Sequence, residues 1–178
     1  RYDLEVEHLL FGALRSYQQL NGNSFPEIEE AAERLRAESG WAAEPRLGEV
    51  ELTEALARRF GVSVDRETLP AQRELAELRS VYAAGPAPKL YVNGRLAAQQ
   101  RAFVVAREIG SRVLGLPERP VTGSWLRAES FEQVLNNFRA SYFAGALMIP
   151  RAALAAELGR FFAAPRFRAR TLIEMLRR

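Results

Sequence analysis

The 178-residue sequence contains no cysteine, a single histidine, His8, and a single lysine, Lys89. Without Cys there is no disulfide framework, no thiol nucleophile and no thiolate metal site. Protein zinc sites draw mainly on His and Cys, so one imidazole leaves such a site short of ligands. Histidine-based triads and acid–base pairs fail for the same reason, because His8 falls in an N-terminal helical segment. No D-x-[DN]-x-[DN]-G loop for calcium occurs, and the acidic residues lie mostly in helix-like stretches among arginines. No bound metal and no cofactor are therefore expected. No apolar run approaches the roughly 18 to 20 residues of a membrane span, and no basic, apolar, small-residue signal pattern opens the chain. The lack of Cys fits a cytoplasmic location, with no membrane partner.

What is present is ordinary in bulk and uneven in detail. The hydrophobic fraction of 48% and charged fraction of 26% are those of a globular protein with one respectable core. The net charge is +3, and almost every cation is an arginine. Residues 27–38 carry Glu27, Glu29, Glu30, Glu33 and Glu38 against Arg34 and Arg36. From Arg151 onward the chain carries seven arginines against Glu157 and Glu174. A basic end of this kind either forms a solvated helix face or meets phosphate or another acidic group.

Periodicity divides the chain into helices around a small sheet. Leu4, Leu9, Leu10, Leu14, Tyr17 and Leu20 form one stripe of a helix over 3–20, which either packs on its own domain or forms a dimer seam. Asn21-Gly22-Asn23 ends it. Ser24-Phe25-Pro26-Glu27 predicts a Ser-capped helix start, and Gly40 a stop. A third helix is expected over Leu52–Phe60, halted by Gly61, with Val62-Ser63-Val64 strand-like after it. Leu78–Ala83 and Lys89–Val92 read as strands. Asn93-Gly94 predicts two positive-φ positions of a tight turn, with Leu96 on a short return. A helix follows from Ala98 to Leu116, with Phe103, Val104, Ala106, Ile109, Val113 and Leu114 expected as its buried face. Further helices are predicted over Ser130–Ile149, near 150–163 and near 168–177. The order predicts an α+β fold rather than alternating α/β. The chain lacks an initial Met and runs straight into a helical pattern, which leads to the expectation that it belongs to a longer protein.

Two segments carry the functional argument. Gln100-Arg101-Ala102-Phe103-Val104-Val105-Ala106-Arg107-Glu108-Ile109-Gly110-Ser111 resembles the "R-F-x-x-A-H-E-L-G-H" stretch of ImmA/IrrE-type metallopeptidases. Asn136-Asn137-Phe138-Arg139-Ala140-Ser141-Tyr142-Phe143-Ala144-Gly145-Ala146-Leu147-Met148-Ile149-Pro150 resembles their "E-A-N-x-F-A-A-x-L-L-M-P". The resemblance spans roughly residues 50–150 and implies a helix-rich, zincin-like fold with a small sheet beside a degenerate HExxH helix. In the intact motif two histidines four residues apart hold zinc, and the Glu between them is the general base. Here the histidine positions are Arg107 and Ser111, and Arg139 falls where the family carries a glutamate ligand. Only Glu108 remains of the catalytic set. A guanidinium has no lone pair to offer and repels the metal, so the resemblance implies a pseudo-peptidase, not an enzyme.

A second resemblance covers most of the chain. Asn23 to Leu35, Leu56-Ala57-Arg58-Arg59-Phe60-Gly61-Val62-Ser63-Val64, Gln100-Arg101-Ala102-Phe103 and Ser141 to Pro150 are similar, in order, to bacterial short-chain fatty acyl regulators of the XRE family. In these a helix-turn-helix domain precedes a degenerate peptidase-like domain. The resemblance implies a sensor of short-chain acyl-CoA or a related anionic metabolite, acting as a homodimer and reaching DNA only through a helix-turn-helix outside this chain. The expected organisation is an N-terminal helical segment over 1–48 for dimerisation or linkage, a sensor domain over 49–164, and the start of a C-terminal segment over 165–178. An old catalytic cleft is a natural ligand site. Its expected lining is Arg107, Glu108, Ser111, Arg139, Phe103 and Tyr142, with the arginines suited to carboxylate or phosphate. The other readings are an interaction or dimerisation module with no small ligand, and a hydrolase using Glu108 without zinc.

Overall fold

In the computed structural model, residues 2–44, 46–117, 122–123, 130–164, 166, 169–170 and 173 are described. The order is α1 (Tyr2–Leu20), α2 (Pro26–Glu38), α3 (Glu49–Phe60), β1 (Ser63–Asp65), α4 (Thr68–Ala71), β2 (Leu78–Ala83), β3 (Lys89–Val92), α5 (Ala98–Val113), β4 (Thr122–Gly123), α6 (Phe131–Met148) and α7 (Arg151–Ala163). The fold is α+β and rich in helix, as the sequence predicts. The helix expected near 168–177 lies mostly outside the described residues.

The element boundaries follow from local chemistry. Ser130 caps α6, its hydroxyl accepting from the Gln133 amide at 3.2 Å. At the start of α2 the cap position is Phe25 and not Ser24, with Pro26 in the first turn and no side chain closing the cap. Phe25 is instead fully buried, edge-on to Phe138 and Tyr142 and stacked on Tyr17. Packing of that ring overrides the capping preference of the preceding serine. Helix α3 begins at Glu49, three residues before the expected Leu52, because the Glu51 carboxylate accepts from the Gly48 amide at 3.1 Å. Gly61 closes α3 in the left-handed conformation, φ 67°.

Strands order as β1-β3-β2-β4. β2 and β3 pair antiparallel from Ser80↔Val92 to Ala83↔Lys89, and β1 runs parallel to β3. Asn93 and Gly94 do not form the expected positive-φ turn, and Leu96 enters no return strand. Asn93 is buried and holds the corner with its side chain, donating to the Ala76 and Leu78 carbonyls at 2.7 and 3.0 Å and accepting from the Arg95 amide at 3.0 Å. Those bonds replace the turn that the dipeptide suggests.

One core joins α2, α3, the inner face of β3, α5 and α6: Phe25, Ile28, Leu35, Leu52, Leu56, Val92, Val105, Ile109, Phe143 and Leu147 all belong to it. Helices α5 and α6 approach closely at Gly110, where an added Cβ would stand 2.8 Å from Phe143 Cδ1. Contrary to the expected buried face, Phe103 is exposed, whereas Val104, Ala106 and Ile109 are buried. Phe103 lies one residue off the stripe that faces the core. Arg36 is buried despite its charge. It donates to the Leu147 and Trp41 carbonyls at 2.7 and 2.9 Å, tying the end of α2 to the end of α6.

Candidate functional site

Helix α5 places Arg107, Glu108 and Ser111 between the sheet and α6. Glu108 and Ser111 are buried, and Arg107 is partly so. The Ser111 hydroxyl donates back to the Arg107 carbonyl at 3.2 Å, spending its proton on the helix itself. Glu108 is ion-paired with Arg112 at 3.0 Å, one turn further along. Arg112 in turn donates to the Tyr82 hydroxyl and lies 4.9 Å from the centroid of that ring. The carboxylate is thus held by a cation that the sheet orients. The signal for this pair was in the sequence, as Glu and Arg at i,i+4, but Arg112 was not among the expected site residues.

Arg107 takes a different course. One guanidinium nitrogen donates to Asn137 Oδ1 on α6. Its Nε is buried and has no hydrogen-bond partner among the described residues, and the same holds for Asn136 Nδ2. Burial, and after it the like charge of Arg79, push the guanidinium below its ordinary pKa, against an opposing pull from Glu108. Arg79 projects from β2 and is exposed. The two arginines line a cleft of about 220 Å³ with Leu96, Gln99, Phe103 and Val104. Two like charges beside apolar walls form a small site complementary to an anion with a short apolar tail.

The structure therefore brings Arg107 and Phe103 into one cleft, with Glu108 and Ser111 in the polar layer behind them. Arg139 is half-buried on α6 and lines neither of the two clefts described here. Tyr142 belongs to a second, larger cleft between α2 and the α6–α7 corner, of about 480 Å³. There its hydroxyl donates to Glu29 at 2.6 Å, and Arg151 pairs with the same carboxylate at 3.1 Å. Burial and the hydrogen bond to Glu29 raise the Tyr142 pKa. Arg79 is the residue that sequence reasoning missed. It stands alone in a strand-like stretch, and only the sheet carries it to Arg107.

No cluster of three or more His, Cys, Asp or Glu suited to a metal occurs among the described residues. No helix among them is long and apolar enough to cross a membrane.

Residues 66–164 match the IrrE N-terminal-like domain family, Peptidase_M78. No curated protein matches the chain. A solved structure of a Mycobacterium tuberculosis transcriptional regulator superposes with a TM-score of 0.59 at 24% identity, over 84% of this chain and 44% of that one. That likeness is one of fold, and this chain spans less than half of that regulator's length. The residues around Glu108 do not fit a peptidase zinc: Arg107 offers a cation in place of a lone pair, and Glu108 is occupied by Arg112.

Proposed function

We propose, on the premise that this chain belongs to the IrrE N-terminal-like domain family, that it is a non-catalytic sensor domain of a bacterial transcription regulator. Its ligand is a short-chain acyl-CoA or a related anionic metabolite, and its site is the cleft between Arg79 and Arg107. The observation that carries this reading is the placement of two mutually repelling guanidinium groups beside Phe103, Leu96 and Val104. An anion there relieves the repulsion and meets planar donors in a fork, and a short acyl chain meets the apolar wall. Glu108 and Ser111 act behind the cleft as its support. Arg139 and Tyr142 stand outside it, so the site is narrower than the sequence suggests.

In this reading the regulator is cytoplasmic and homodimeric, and it reads DNA through a helix-turn-helix outside this chain. Peptidase activity is not part of it. The fold likeness to a transcriptional regulator supports the setting. Isothermal titration with acetyl-CoA, propionyl-CoA, free CoA, the free acids and zinc tests the proposal. Saturable binding of one acyl-CoA and none of zinc is expected. Zinc binding with no acyl-CoA binding would overturn it in favour of a metallopeptidase.

A further inference from the structure

Two buried donors at the contact of α5 with α6 have no acceptor. Arg107 gives one guanidinium nitrogen to Asn137 Oδ1, while its buried Nε has no hydrogen-bond partner among the described residues. Asn136, the preceding residue on α6, is 3% exposed, and its Nδ2 is likewise unpartnered. Asn136 lies about two turns before Phe143 on the buried side of α6. Phe143 packs against Gly110 of α5, so the stripe that carries Asn136 faces α5.

We infer that Asn136 is a ligand-binding residue, whose amide joins Arg107 Nε in donating to one oxygen of the ligand held in the Arg79–Arg107 cleft. The inference rests on the sensor reading above and extends its site from the cleft wall inward to α6. A buried donor without an acceptor has lost its hydration with nothing in return, so folded chains keep very few of them. Two such donors on facing helices point to an acceptor that the chain itself does not supply. Their chemistry defines that acceptor. A guanidinium N–H and an amide N–H only donate, so the group between them is an oxygen with free lone pairs, on a phosphate, a carboxylate or a thioester carbonyl. Arg107 lines the cleft with part of its side chain and buries Nε behind it, which sets this oxygen at the inner end of the cleft. An anionic oxygen there also offsets the burial and the Arg79 charge that disfavour the Arg107 cation.

The test joins stability to binding in the wild type, Asn136→Leu, Asn136→Asp and Arg107→Ala. Leu roughly keeps the volume of Asn and removes its donor, and Asp supplies a carboxylate where Arg107 lacks an acceptor. In urea denaturation without ligand, Asn136→Leu is expected to hold or raise the midpoint, and Asn136→Asp to raise it at neutral pH. In isothermal titration with acetyl-CoA and propionyl-CoA, Asn136→Leu is expected to weaken binding about tenfold, and Asn136→Asp to abolish it. Free CoA identifies the oxygen: an equal loss with free CoA assigns a phosphate, and a loss confined to the acyl-CoAs assigns the acyl carbonyl. A lower midpoint for either Asn136 variant overturns the inference, because the amide then serves the fold. Unchanged affinity in Asn136→Leu, with binding lost in Arg107→Ala, overturns it and leaves the sensor reading standing. No binding of any of these CoA species by the wild type overturns both.

Discussion

Glu108 and Arg112, four residues apart on α5, form an ion pair at 3.0 Å, with 6% of the Glu108 side chain exposed. Glu108 stands where the HExxH pattern carries its general base, and here its carboxylate is paired with Arg112. Removing one member of a buried pair leaves an uncompensated charge, whereas removing both replaces a polar layer by an apolar one. Glu108→Leu is expected to destabilise the chain by about 1–3 kcal/mol, because it leaves Arg112 without its carboxylate. Glu108→Leu combined with Arg112→Met, which makes the layer apolar, is expected to cost less than Glu108→Leu alone. Urea denaturation of the wild type, the two single variants and the double variant measures the coupling; additive losses would show that the pair is not a unit.

Glu49 links α3 to two arginines, Arg66 at 2.5 Å and Arg101 at 2.8 Å. Burial raises its pKa, and the hydrogen bonds and charges of Arg66 and Arg101 outweigh burial, so the folded value lies below the ordinary 4.5. A carboxylate with a depressed folded pKa contributes stability above its unfolded value, and that stability is lost as pH falls through the folded value. The share of stability that Glu49 contributes should therefore be lost below about pH 4.5. Glu49→Gln should flatten the stability profile in that window and lower the plateau at neutral pH. Denaturation midpoints from pH 7 to 3 check this; parallel profiles for the two proteins would contradict it.

Much of this was legible in the sequence, for physical reasons. Leu78–Ala83 and Lys89–Val92 are short runs bounded by turn residues, and both formed strands at the expected positions. Gly40 and Gly61 stopped their helices at positive φ, as such residues do. The failures came where tertiary contacts override local preference. Ser24 lost its cap role to the packing of Phe25, and Asn93-Gly94 lost its hairpin to the hydrogen bonds of a buried asparagine. Two site features were out of reach because they join distant elements. Arg79 meets Arg107 only through the sheet, and Tyr142 turns toward α2 because Phe25 and Glu29 hold it there.

The contact of α5 with α6 permits no side chain at residue 110. Phe143 is fully buried, and a Cβ on Gly110 would fall 2.8 Å from Cδ1 and 3.1 Å from Cβ and Cγ. Gly110→Ala is expected to cost about 1–3 kcal/mol by overpacking, and Gly110→Ala with Phe143→Leu to recover part of it. Thermal melts of both variants test this. An unchanged Gly110→Ala melt would show that the helices separate freely.

The proposed sensor function stands or falls on Arg107. The most direct measurement is a thermal-shift titration of the wild-type chain and of Arg107→Ala with propionyl-CoA, acetyl-CoA and free CoA. A ligand at a hundredfold excess over its dissociation constant adds about 2.7 kcal/mol to the native state. The account predicts a saturable rise in the wild-type midpoint with an acyl-CoA and its loss in Arg107→Ala, which should keep its circular dichroism. An equal rise in both proteins, or none in either, would contradict it.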